Sequence, residues 1–107
     1  MSIKIEKTKC VGCARCTAAC PGSLIYMKKE NGKAFATIRE VRDCWGCTAC
    51  LKECPSSAIK YFLGADIGGT GATLSIKRES HYLHWKINLP SGAEKIITID
   101  QKEANKY

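Results

Sequence analysis

Cys10-Val11-Gly12-Cys13-Ala14-Arg15-Cys16-Thr17-Ala18-Ala19-Cys20-Pro21 returns as Cys44-Trp45-Gly46-Cys47-Thr48-Ala49-Cys50-Leu51-Lys52-Glu53-Cys54-Pro55, at an offset of 34 residues. All eight cysteines lie in these two stretches, and in both copies a glycine stands two residues after the first cysteine and a proline follows the last. An internal repeat is read before anything else, because each copy is one structural unit. Two copies predict two related halves, each supplying most of one site.

Clustered cysteines admit three chemistries. A disulfide framework suits a small secreted chain. The opening residues Met1–Lys9 are mixed polar and charged, with no apolar stretch of the kind a secretory leader carries. A cytoplasmic setting is expected, where clustered cysteines serve metals more often than disulfides. Structural zinc takes two Cys-x-x-Cys pairs per ion. Here each copy is instead a complete C-x2-C-x2-C-x3-C-P run, the pattern of two-cluster bacterial ferredoxins, whose fourth cysteine ligates the other cluster. One [4Fe–4S] cluster is therefore assigned to Cys10, Cys13, Cys16 and Cys54, and the second to Cys44, Cys47, Cys50 and Cys20. Trp45, beside the first ligand of the second motif, is either packing over that cluster or a candidate on the path by which electrons leave.

The formal charge of +7 falls once eight thiolates and two doubly positive cluster cores are counted, to about +3. The Lys and Arg residues are dispersed and no aromatic–basic RNA motif occurs, so no nucleic-acid role is read. A mildly basic surface suits an acidic protein partner. No apolar run approaches the length of a membrane span, so no membrane insertion is expected. No nucleophile–base pair is visible, and electrons are all this chain is expected to handle.

Around the motifs the pattern predicts an α+β fold. Ser2–Glu6 alternates as a strand. Leu24–Lys29 and Lys33–Glu40 form a hairpin about Glu30-Asn31-Gly32, and Ile59–Leu63 is a further strand. Ala14–Ala19 and Thr48–Glu53 read as one to two helical turns each, stopped by Pro21 and Pro55. Gly64–Gly71 reads as a flexible connection. Ala72–Arg78, Tyr82–Leu89 and Lys95–Asp100 then read as a three-stranded antiparallel β meander, separated by turns at Glu79-Ser80 and Pro90-Ser91-Gly92. Its apolar face, with Leu74, Ile76, Leu83 and Trp85, needs a cover. The polar end Lys102–Tyr107 is expected to fray or to bind a partner. The organisation is thus a two-cluster domain over residues 1–63 with a pseudo-twofold repeat, a Gly-rich connection over 64–71, and a β extension with a short tail over 72–107.

Two further features weigh little. Asp66-Ile67-Gly68-Gly69-Thr70 is similar to the phosphate-binding turn of sugar kinases, whose two large α/β domains this chain has no room for. His81 and His84 fall on opposite faces of a strand and read as surface or packing residues.

Residues 1–60 resemble the two-[4Fe–4S] ferredoxins. The Cys44-Trp45-Gly46-Cys47 segment, Gly68-Gly69-Thr70 and the strands around Trp85-Lys86-Ile87 together resemble the β subunit of adenylylsulfate (APS) reductase. The resemblance implies a non-catalytic electron-transfer subunit, held by its sheet and tail to an FAD-containing α subunit as a heterodimer. It also implies that Trp45 lies between the near cluster and the flavin, and that electrons from an outside donor convert APS to AMP and sulfite. The first motif here is more compact than is usual in that family, and the tail shorter.

Overall fold

The computed structural model describes residues 2–103. Seven strands and two short helices form in the order β1 (Ser2–Ile5), α1 (Arg15–Ala19), β2 (Ile25–Glu30), β3 (Lys33–Ile38), α2 (Ala49–Glu53), β4 (Ile59–Leu63), β5 (Ala72–Glu79), β6 (Tyr82–Asn88) and β7 (Glu94–Asp100). Each element lies within two residues of its sequence expectation, the ordinary scatter of element ends. Of the tail, residues 104–107 lie outside the described part.

β2 and β3 pair as an isolated antiparallel hairpin in which Glu30 faces Lys33. Asn31 and Gly32 both adopt positive φ, 52° and 78°, as the two-residue turn of a twisted hairpin requires. The other five strands form one antiparallel sheet in the order β1-β4-β5-β6-β7. Tyr61 pairs with Leu74 and Leu63 with Ala72, so the three C-terminal strands continue the sheet of β1 and β4 and do not stand apart from it.

The segment expected to be a flexible connection is an ordered turn. Residues 65–67 form a turn of 3₁₀ helix, and the Gly68, Gly69 and Gly71 amides donate to Ala65, Gly64 and Leu63 carbonyls at 3.1, 2.9 and 2.9 Å. A methyl at Gly69 would stand 2.3 Å from the Leu63 carbonyl oxygen, so the glycine is there for a close backbone approach. Gly69→Ala should therefore push β4 away from the turn and cost about 1–3 kcal/mol, read as a lowered thermal midpoint of the cluster-loaded protein. An unchanged midpoint would mean the turn has slack.

The core lies between one face of the sheet and the two helices. Leu51 of α2, Ile59 of β4 and Ile76 of β5 are almost wholly buried, each contributing about 1.5–3 kcal/mol by leaving water. Along β5 the alternation Ala72, Leu74, Ile76 points inward and Thr73, Ser75, Lys77 outward. Two polar ties fasten the helical layer to β5. Ser57 Oγ donates to the Ile76 carbonyl at 2.8 Å, and Arg78 Nη2 donates to the Lys52 carbonyl near the end of α2 at 2.9 Å. β7 lies past the reach of the helices, and its Ile96, Ile97 and Ile99 stay exposed.

Candidate metal centre

The backbone around the cysteines repeats as closely as the sequence does. Gly12 and Gly46 have φ of 77° and 70°, Ala14 and Thr48 of 63° and 62°, and Ser23 and Ser57 of 54° and 55°. Left-handed φ at a non-glycine residue costs of order 1 kcal/mol, and such strain gathers where the chain is bent to a task. Here it falls between the second and third cysteines of each motif and just past each proline. It coils two thiols around a hollow before the helix begins, and the helix's first turn supplies the third. Gly12 has a further reason to be glycine, since a methyl there would meet the Ala34 carbonyl oxygen at 2.9 Å. The first loop therefore rests directly on β3.

Burial repeats too. Cys13 and Cys47 are exposed, Cys16 and Cys50 are buried near the helix starts, and the remaining four are half-buried. Two small hollows of similar size result. Cys10, Cys13, Cys16 and Cys54 line the first, together with Ile5, Ala36 and Ile59. Cys44, Cys47, Cys50 and Cys20 line the second, with Ile3, Ile25, Ile38 and Trp45. Each hollow thus takes three thiols from one motif and the last from the other, the crossed grouping that the motif pattern implies.

The donor set fits an iron–sulfur cluster better than a single ion. Among the described residues no three of His, Cys, Asp or Glu converge tightly enough to hold one metal ion. Four thiols instead stand apart around an apolar-walled space, as a multi-atom core needs. Without metal the arrangement works against itself. Burial first, and then the neighbouring Cys54, Cys10 and Cys13, push the Cys16 thiol above its ordinary range. Burial, with Cys44, Cys47 and Cys16 behind it, pushes Cys50 up to about 12. Thiolates are held in such a place only by a bound cation, so metal uptake must release these protons. The Ala36 amide donates to Cys10 Sγ at 3.4 Å and the Ala58 amide to Cys54 Sγ at 3.3 Å, which favours negative sulfur in the first cavity.

Residues 9–58 match the family of the 4Fe-4S dicluster domain. That stretch of this chain is similar to a dicluster domain. An uncharacterized ferredoxin of Methanocaldococcus jannaschii is 49% identical to it over 37 residues, 34% of this chain and 48% of that protein, so the match spans about half of that relative. A solved structure described as adenosine 5'-phosphosulfate reductase in complex with substrate superposes with a TM-score of 0.71 at 27% identity, covering 91% of this chain and 67% of that one. Coverage that wide takes in β5–β7 as well as residues 9–58. Both resemblances drawn from the sequence, to two-cluster ferredoxins and to APS reductase, therefore hold.

Trp45 sits in the wall of the second cavity with its ring against Gly22, and it is 66% exposed. The histidines are held by neighbours on the sheet. His84 contacts Thr98 Oγ1 at 2.9 Å and Glu79 Oε2 at 3.0 Å, and His81 lies 3.6 Å from Asp100. The Gly68-Gly69-Thr70 stretch serves the β4–β5 turn. Among the described residues, no helix is long and apolar enough to cross a membrane.

Proposed function

We propose that this chain is a cytoplasmic, non-catalytic electron-transfer subunit that relays electrons through two [4Fe–4S] clusters to the FAD of a partner flavoprotein. The partner is adenylylsulfate reductase, in which two electrons convert APS to AMP and sulfite. The observation that carries this reading is the likeness to that reductase over 91% of the chain, strands β5–β7 included, which a free ferredoxin does not need.

In this reading Cys10, Cys13, Cys16 and Cys54 hold one cluster and Cys44, Cys47, Cys50 and Cys20 the other, related by a pseudo-twofold repeat over residues 1–63. When bound, each cluster supplies a one-electron store whose potential the surrounding hydrogen bonds and solvent exposure set. Residues 64–71 join that unit to the antiparallel meander of residues 72–107, the partner-binding extension. Its Ile97 and Ile99 continue the core face of the sheet beyond the helices, and they remain in water, as does Trp45. Exposed apolar side chains of this size are what a partner covers.

An anaerobic pull-down of the tagged chain from its own host, assayed for bound FAD and for APS-dependent release of sulfite and AMP, tests the proposal. Co-purification of a flavoprotein with that activity is the expected result. Recovery of a stable brown monomer alone would return the chain to the diffusing ferredoxins and leave β5–β7 unexplained.

A further inference from the structure

The face of the sheet turned away from the helices carries an open groove lined by lysines. Lys9, Lys60, Lys77, Lys86 and His84 border this groove, and Ser57 and Ser75 also line it. These lysines come from the loop after β1 and from β4, β5 and β6, and Lys4 stands directly opposite Lys60 across the β1–β4 pair. Like charges placed opposite one another on adjacent strands are destabilising. Three carboxylates offset part of this charge. Glu6 is shared by Lys60 at 2.8 Å and Lys9 at 3.3 Å, Glu94 meets Lys86 at 3.4 Å, and Glu79 meets His84. Five lysines against three carboxylates leave an excess of two positive charges. Among the described residues Lys77 has no ion-pair partner.

In the chain, the groove's residues neighbour those of the first cavity and not those of the second. Lys9 precedes Cys10 in the chain, and Ser57 follows Ser56, which lines the first cavity beside Cys54. Trp45 and the second cavity draw on neither segment. The exposed Ile97 and Ile99 belong to the opposite face of the sheet, since both keep the register of Trp85 and Leu83.

We propose that this lysine groove is the docking surface for a small acidic electron-carrier protein that feeds the centre of Cys10, Cys13, Cys16 and Cys54. The proposal rests on the electron-transfer reading above and adds to it a place and a charge for the donor. In each encounter the reduced carrier loses one electron and the loaded chain gains it, with no bond made or broken. Clustered lysines steer an acidic partner from a distance and set its orientation, and the effect fades with salt.

The test measures binding of an oxidised, acidic plant-type [2Fe–2S] ferredoxin to the cluster-loaded chain by titration calorimetry, so no turnover is needed. Three proteins are compared: the wild type, Lys77→Glu/Lys86→Glu, and Lys28→Glu/Lys29→Glu, which makes the same charge change on the hairpin. At about 0.01 M salt, where charges act over about 30 Å, the groove variant should bind about tenfold more weakly than wild type and the hairpin variant should bind like wild type. At about 1 M salt, where the range is about 3 Å, the three should converge. Equal weakening of both variants would mean that overall charge governs the encounter, and it would overturn the groove. So would a groove variant that binds normally. Loss of the flavoprotein from the groove variant on size-exclusion chromatography, with ferredoxin binding unchanged, would give the surface to the flavoprotein instead. Cluster absorbance is read in all three, so that misfolding is seen directly. Failure of the pull-down to bring down a flavoprotein leaves these binding curves untouched, which keeps the two proposals separable.

Discussion

Cys20→Ala is expected to strip the centre of Cys44, Cys47 and Cys50, 24 to 30 residues away in the chain, while sparing the centre of its own motif. Anaerobic iron and sulfide analysis should fall from about eight of each per chain toward about four. The argument is geometric. Cys20 closes α1 in extended backbone, with its amide bonded to the Cys16 carbonyl at 3.1 Å. That exit carries its thiol into the wall of the second cavity, beside Pro21 and Gly22. Cys54 does the same from α2 toward the first. Cys54→Ala should therefore deplete the other centre, and the two variants should leave complementary spectra. Losing a ligand also leaves an apolar hollow with three crowded thiols, so the spared centre should be lost faster on warming than in the wild type. Cys20→Ala with both centres intact, or missing the centre of Cys10, Cys13 and Cys16, would sink the crossed arrangement.

The cysteine spacing made this site legible in advance, because three thiols at intervals of three residues leave the chain few ways to wind. Positive φ at Ala14 and Thr48 shows how that winding is achieved, although alanine and threonine give no hint of it in sequence. Strand alternation was equally readable. It put Leu74 and Ile76 inside, and they are buried. What alternation could not show was the pairing of β4 with β5. That pairing turned a separate meander into an extension of the sheet of β1 and β4, and it depends on the turn at 64–71 closing tightly. Glycines there suggested slack, whereas Gly69 is needed because the Leu63 carbonyl comes so near. The lysine groove was hidden for a related reason. Its members come from residues 4 to 86, so no run of charge marks it, and only the register of β1, β4, β5 and β6 gathers them. The side-chain partners of His84 are likewise products of register, since Thr98 lies opposite it on β7.

Trp45→Ala should leave both centres filled and slow electron transfer to the partner flavin by about tenfold, equivalent to about 1.4 kcal/mol of barrier. The two halves of that expectation come from the same observation. With 66% of its surface in water, the indole contributes little to the fold, and its removal should move the thermal midpoint hardly at all. Yet a large apolar ring held in the wall of the second cavity, directly after Cys44, is an unusual thing to leave uncovered. In a complex it would be the aromatic group nearest that centre on the outward side, and burying it would also anchor the interface. The two roles separate experimentally. An anchoring role weakens the complex, so it appears as a higher dissociation constant and vanishes when the flavoprotein is saturating. A role on the electron path persists at saturation. Stopped-flow reduction of the flavin, followed at increasing flavoprotein concentration, distinguishes them. Trp45→Phe then serves as the finer probe, since it keeps an aromatic ring and loses the indole N–H. Recovery of the wild-type saturated rate in Trp45→Phe assigns the effect to the ring. A rate at saturation that is unchanged even in Trp45→Ala would reduce Trp45 to packing at the interface.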